Sequence, residues 1–178
     1  MKHVAIAALL SICCAAAQAE SGWITIQGFY DAEHAADRPD LKLFGRFEGT
    51  DTDSDGVLRA DEISWLEIAG LWYSSSPGAC NQSYHYCGLT KMEYEIGSGT
   101  AAFKAYETWT DPEHIFYSQY TFETGVGYRI SSGTGPDTAL LWRDYTTMTV
   151  MAVPEPSTAA MLLLGLAGTA AFARRRRG

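Results

Sequence analysis

Four cysteines in 178 residues are too few for a disulfide framework, and Cys13 and Cys14 fall in an apolar N-terminal run. The fold therefore has to rest on a hydrophobic core. Positive charge is also scarce. Between residues 20 and 153 there are eight basic residues against twenty acidic ones, a net charge of -12. A body this acidic repels nucleic acid and anionic lipid and attracts cations. No period of roughly 20 to 50 residues recurs, which excludes a solenoid. Neither a His-Glu-x-x-His helix nor a Gly-x-Ser-x-Gly turn occurs.

His34, His85 and His114 are far apart and fall in expected loops. Glu93, Glu95, Glu107, Glu113 and Glu123 could supply the two carboxylates of a glycosidase, but the sequence does not place two of them at one cleft, and Glu93 and Glu95 sit at period two beside Lys91, the pattern of a solvated strand face. Glycoside hydrolysis needs two carboxyl groups facing one cleft. The expectation is a protein that is not an enzyme; a polysaccharide-cleaving enzyme is the lowest of the readings kept.

What the chain does have begins with residues 51–62, Asp-Thr-Asp-Ser-Asp-Gly-Val-Leu-Arg-Ala-Asp-Glu. Asp51, Asp53 and Asp55 occupy positions 1, 3 and 5 of an EF-hand calcium loop, Gly56 the sharp turn at 6, Val57 position 7 and Glu62 position 12. Carboxylates this close repel one another unless a hard cation gathers them. Three Asp oxygens, the Val57 carbonyl, a water and a bidentate Glu62 would give Ca2+ about seven oxygen ligands. Leu58 should anchor the loop in the core. Arg59 stands at position 9, where a water-holding Asp or Ser is usual, and should weaken the site. No second acidic loop exists to pair with it. A lone extracellular site of this kind binds in the range of about 0.1 to 1 mM.

Around the loop the patterning is that of strands. Residues 23–30 are rich in aromatic and branched side chains, residues 31–40 are polar and read as a loop, and residues 41–48 set Leu41, Leu43, Gly45 and Phe47 on one face. Residues 61–69 place Ile63, Leu66 and Trp65 or Ala69 at helical spacing ahead of Gly70, so a short helix is expected there. After the turn at 74–78, strands are expected at 89–96, 102–110, 115–124, 126–130, 139–143 and 146–153. Seven or eight short strands with turns between them predict a mainly β protein, an antiparallel β-sandwich with one short helix after the EF-hand-like loop.

Cys80 and Cys87 remain as one pair, and in an exported chain they should form a disulfide. His85 between them opens a zinc alternative, which lacks a fourth ligand. The aromatic residues, with Trp23, Trp65, Trp72, Trp109 and Trp142 among them, are expected mostly in the core. Residues 71–73 and 84–86 are the place to look for an exposed patch, and a carbohydrate-binding module for exopolysaccharide is the second functional reading.

Both ends read as targeting segments. Lys2 and His3 precede the apolar run 4–17, and Ala17-Gln18-Ala19 offers small residues for signal peptidase, so residues 1–19 are expected to be a signal peptide and the domain to span 20–152. At the other end Pro154, Glu155 and Pro156 within residues 153–157 break the last strand. Residues 158–173 are then an uncharged, mostly apolar run, followed by Arg174, Arg175, Arg176 and Arg177. As a helix this run would span roughly 24 Å against a hydrocarbon core of about 30 Å, a marginal anchor with its arginines in the cytoplasm. The order Pro-Glu-Pro, short apolar helix, Arg cluster in residues 153–178 resembles the sorting tail of the PEP-CTERM proteins. That resemblance implies a Gram-negative host, processing near Pro-Glu-Pro by the membrane protease exosortase, transient anchoring in the inner membrane, and delivery to the cell surface or extracellular matrix. A permanent single-span anchor is the alternative for the tail.

Overall fold

A computed structural model describes residues 18–113, 116–153 and Gly165, with the side chains of Gln18 and Ala19 left out. The described residues form eleven strands: β1 (Gln18–Asp31), β2 (Ala36–Asp51), β3 (Val57–Arg59), β4 (Ile63–Ile68), β5 (Leu71–Ser74), β6 (His85–Glu95), β7 (Ala102–Thr110), β8 (Tyr117–Glu123), β9 (Gly127–Ser132), β10 (Thr138–Leu141) and β11 (Thr147–Val153). All pairings are antiparallel, and they make one sheet in the order β3-β6-β7-β8-β9-β10-β1-β2-β4-β5, with β11 also on β1.

The protein is mainly β and antiparallel, as its alternation predicts, but the two sheets of a sandwich are not there. Tyr30 and Asp31 of β1 pair with Leu141 and Leu140 of β10, and this carries the hydrogen-bond ladder across the fold. The result is a single curled sheet, a half-barrel whose arms face each other. Alternation reports one buried face per strand and is the same for both arrangements. Inside the curl, Phe47 of β2 meets Tyr94 of β6 edge-on with ring centroids 5.2 Å apart, and Phe103 stacks on Phe122 at 4.7 Å. Ile24, Ile26, Leu58 and Leu66 are fully buried with them.

The short helix expected at 61–69 is replaced by a single 3-10 turn, Ala60–Glu62, followed directly by β4. The reason lies in the register. Glu48 pairs with Trp65 and Gly49 with Ile63, which leaves Ser64 as one extra residue in β4. A bulge of this kind lets Ile63 and Leu66 both point inward, so a period-two strand reproduces the i, i+3 spacing of a helix. The polar segment 31–40 also differs from expectation. Asp31 pairs with Ala36, so the loop is only residues 32–35 and β2 is already running at Ala36. Residues 39–41 bulge opposite Gly28, and Pro39, which has no N–H for a ladder, sits in that bulge.

Candidate functional site

The inward face of β2 runs Leu43, Gly45, Phe47, Gly49 and ends on Asp51, so strand phase alone turns this carboxylate inward, 5% exposed. The chain then leaves β2, crosses to β3 on the opposite arm, and returns through Ala60–Glu62 to β4, the partner of β2. Residues 51–62 therefore staple the two arms of the curl at one end. Leu58 is fully buried where they meet, the anchor that the sequence predicts.

Backbone N–H groups bind the carboxylates of this loop. Asp51 accepts from Gly56 (2.9 Å) and Asp55 (3.2 Å), and Asp55 accepts from Val57 (2.9 Å). Gly56 has φ +82 with open space around it, the backbone state that calls for glycine at the turn. Ile96 N–H bonds the Gly56 carbonyl (2.9 Å), which sets Leu58 and Tyr94 as the next bonded pair and turns both amide groups of Val57 away from β6. One ligand atom from each of Asp51, Asp53 and Asp55 lies within 4.8 Å of the others, so these three could hold a metal ion. Glu62 faces the same loop but binds its backbone: it accepts from Thr52 N–H (2.7 Å), the Thr52 hydroxyl (2.8 Å) and Arg59 N–H (3.1 Å).

The electrostatics follow. Burial works against the charged form of Glu62, but the hydrogen bonds from Thr52, Arg59 and Asp53 outweigh it and hold the carboxyl below its ordinary range. Asp55 is lowered chiefly by its hydrogen bond from Arg59. Asp53 is raised, by desolvation first and then by the like charges of Asp55 and Glu62. Arg59 answers this repulsion in part: its guanidinium lies 2.6 Å from Asp55 and 3.4 Å from Asp53.

A second cluster closes the curl at another point. The carboxylate of Glu107 on β7, 3% exposed, accepts from the backbone N–H of Trp72 on β5 (2.8 Å), from Nε1 of Trp109 (2.8 Å) and from Nε2 of His85 on β6 (3.0 Å). His85 is 4% exposed, and its ring stacks on Trp109 at 3.8 Å and on Trp72 at 5.7 Å. Glu107 thereby ties the free edge of β5 to the inner face of β6 and β7. His85 lies in a strand, not in the loop that the sequence suggests, and Glu107 is buried, whereas Glu93 and Glu95 are exposed. A signal for Glu107 was present: Phe103, Ala105, Glu107 and Trp109 alternate on one face of β7. The partners His85 and Trp72 depend on a strand register that one sequence does not reveal.

Cys80 and Cys87 form a disulfide, which leaves no thiolate for zinc beside His85. Glu93 pairs with Lys91 and Glu123 with Lys104, and among the described residues these glutamates do not converge with Glu107. His34 bonds Asp31 at 2.9 Å in the β1–β2 turn, and His114 lies outside the described residues. Of the two stretches singled out for exposure, Leu71 is buried and Tyr73 packs on the core, whereas Tyr84 and Tyr86 are exposed.

These features define a mainly β protein whose described strands pair antiparallel in one curled sheet, stapled by an acidic loop. Residues 152–177 match the PEP-CTERM protein-sorting motif, which implies export to the cell surface and processing by exosortase. No curated protein and no solved structure matches the chain. The motif begins at the end of β11, where the chain leaves the sheet at Val153. The residues that should be read by the protease, Pro154, Glu155 and Pro156, lie outside the described residues, as do Arg174, Arg175, Arg176, Arg177 and the expected signal peptide through residue 17. The expected membrane run 158–173 does too, except for Gly165, which is helical. Among the described residues no helix is long and apolar enough to cross a membrane.

Proposed function

We propose that the chain is a non-enzymatic protein of the cell surface or extracellular matrix whose curled sheet is braced by Ca2+ in residues 51–62. Asp51, Asp53 and Asp55 would hold the ion through carboxylate oxygens, with the Val57 carbonyl and Glu62 completing an oxygen set that suits calcium. The supporting observation is the path of the loop: its three aspartates come together where the chain crosses from β2 to β3, so an ion there joins the two arms. The donor chemistry fits the ion. Turned amides at Val57, a glycine at positive φ and a hydrogen bond from Gly56 to Asp51 shape the loop around its carboxylates. Export places the chain where calcium is plentiful enough for a weak site.

Calorimetric titration of the full-length chain in mild detergent with calcium chloride tests this reading. It should give one site with a Kd of about 0.1 to 1 mM, absent in Asp51→Ala and in Glu62→Ala. Heat equal to dilution in the wild-type chain would reject the calcium site and leave the sorting assignment standing.

A further inference from the structure

Of the eleven large hydrophobic side chains exposed among the described residues, four, Trp23, Phe44, Met151 and Val153, share one face of the sheet, the one turned away from the core. Strand register fixes this. Trp23 pairs with Met151 of β11 on one side and with Arg46 of β2 on the other, and Arg46 pairs in turn with Glu67 of β4. Directly paired residues share a face, and so do residues two apart along an unbroken strand. Val153, Phe44 and Trp65 are therefore in phase with Trp23, while Ile24, Phe47, Leu66 and Val150 fill the core from the other side.

This face lies where the chain leaves the sheet. Val153 ends β11, and only residues 154–157 separate it from the apolar run 158–173. An extended chain covers at most about 3.6 Å per residue, so Val153 stays within about 18 Å of the start of that run. The run itself is short for a bilayer: as a helix it reaches roughly 24 Å against about 30 Å of hydrocarbon, and a weak anchor is made firm by a second contact.

The chemistry of the face suits a bilayer surface. A tryptophan beside apolar side chains and a guanidinium is the composition of a membrane-interface belt. The charges on the face are Lys42, Arg46, Glu48 and Glu67, two of each sign, although residues 20–153 carry a net charge of -12. Asp51, where the acidic loop begins, turns to the opposite face. Arg46 lies over the Trp65 ring at 4.4 Å, and from there an open groove of about 340 Å³ is lined by Arg46, Glu48, Ser64, Trp65, Ser74 and Ser76. One guanidinium, one carboxylate and three hydroxyls match a lipid headgroup that carries both a phosphate and an ammonium.

We propose that, before the tail is processed, this face rests on a bilayer of zwitterionic lipid. Trp23, Phe44 and Met151 enter the headgroup region, and Arg46 and Glu48 meet the headgroups. The contact keeps the start of the tail close to the membrane, within reach of a membrane protease. The proposal rests on the tail being inserted in the bilayer and does not depend on calcium.

The test uses the chain isolated, tail uncut, from membranes of a Gram-negative host without exosortase and reconstituted into phosphatidylcholine vesicles brominated near the headgroup end of the acyl chains. All five tryptophans precede the tail, so quenching by bromine reports on the folded body alone. Flotation of the vesicles establishes separately that the tail is inserted. The expected result is a loss of tryptophan fluorescence, relative to unbrominated vesicles, that shrinks about twofold or more in Trp23→Phe and in Phe44→Ser/Met151→Ser, which keeps Trp23 as a reporter. Tyr84→Ser/Tyr86→Ser, exposed near the start of β6, should change nothing. Replacing half of the lipid by anionic phosphatidylglycerol should not deepen the quenching. Flotation without quenching, equal quenching in the wild-type chain and both variants of this face, or quenching confined to anionic vesicles overturns the proposal. So does a Trp23-dependent dimer in sedimentation velocity, which would make this face a protein interface. Failure to float rejects the anchored tail and this proposal with it, and leaves the calcium reading untouched.

Discussion

Arg59 Nη2 lies 2.6 Å from Asp55 Oδ2, so the acidic loop carries its own cation at position 9. This guanidinium and the backbone N–H groups already offset part of the repulsion among Asp51, Asp53 and Asp55. A calcium ion would have to compete with it for Asp53 and Asp55. Arg59→Gln should therefore lower the melting temperature in chelator and tighten calcium binding roughly two- to fivefold, the range expected of one exposed ion pair. Calorimetric titration of both chains checks this; unchanged or weaker affinity in the variant would show that Arg59 does not compete.

Acid should loosen the staple in a definite direction. Glu62 titrates below its usual 4.5 because Thr52, Arg59 and Asp53 donate to its carboxylate. A depressed carboxyl contributes stability that is complete above its unfolded value and is lost as pH falls through the lower folded one. Asp55 acts in the same sense, held down by Arg59, while the raised Asp53 opposes them. In chelator, the melting temperature of the wild-type chain should fall steeply below about pH 4.5. Glu62→Gln should melt lower at pH 7 and lose less between pH 5 and 3. Parallel curves for the two chains would remove Glu62 from this role.

Glu107 is the other fastening. Its replacement by alanine orphans three donors in a buried site: the Trp72 N–H, Trp109 Nε1 and His85 Nε2. The loss should be roughly 3 kcal/mol or more in urea unfolding, and Glu107→Gln, which keeps one acceptor oxygen, should lose less. Equal and small losses in both variants would mean that the edge of β5 is held by apolar packing alone.

Much of the strand content was legible because it is written in local alternation. The run Leu43, Gly45, Phe47 predicted the buried face of β2, and Met92 and Tyr94 against Lys91, Glu93 and Glu95 predicted that of β6. The residues 102–110 assigned to a strand are those of β7. What failed was non-local. Ser64 is extra only because Gly49 and Glu48 pair as they do, and without that register Ile63 and Leu66 read as one face of a helix. Whether the sheet closes as a sandwich or a curl is decided by the pairing of Tyr30 with Leu141, more than a hundred residues apart. The three aspartates were found from spacing, since loop geometry is local. The cluster of Trp72, His85, Glu107 and Trp109 was missed because three strands must align before it exists.

The reading of the acidic loop as an ion brace is tested most directly by thermal melting of the full-length chain with 10 mM calcium chloride and with chelator, alongside Asp51→Ala. Linkage at a Kd of about 0.1 to 1 mM predicts a stabilisation of about 1.4 to 2.7 kcal/mol, a rise of roughly 5 to 10 °C in the wild-type chain and none in the variant. A wild-type melting temperature that calcium leaves in place, or one that rises equally in Asp51→Ala, would contradict the brace.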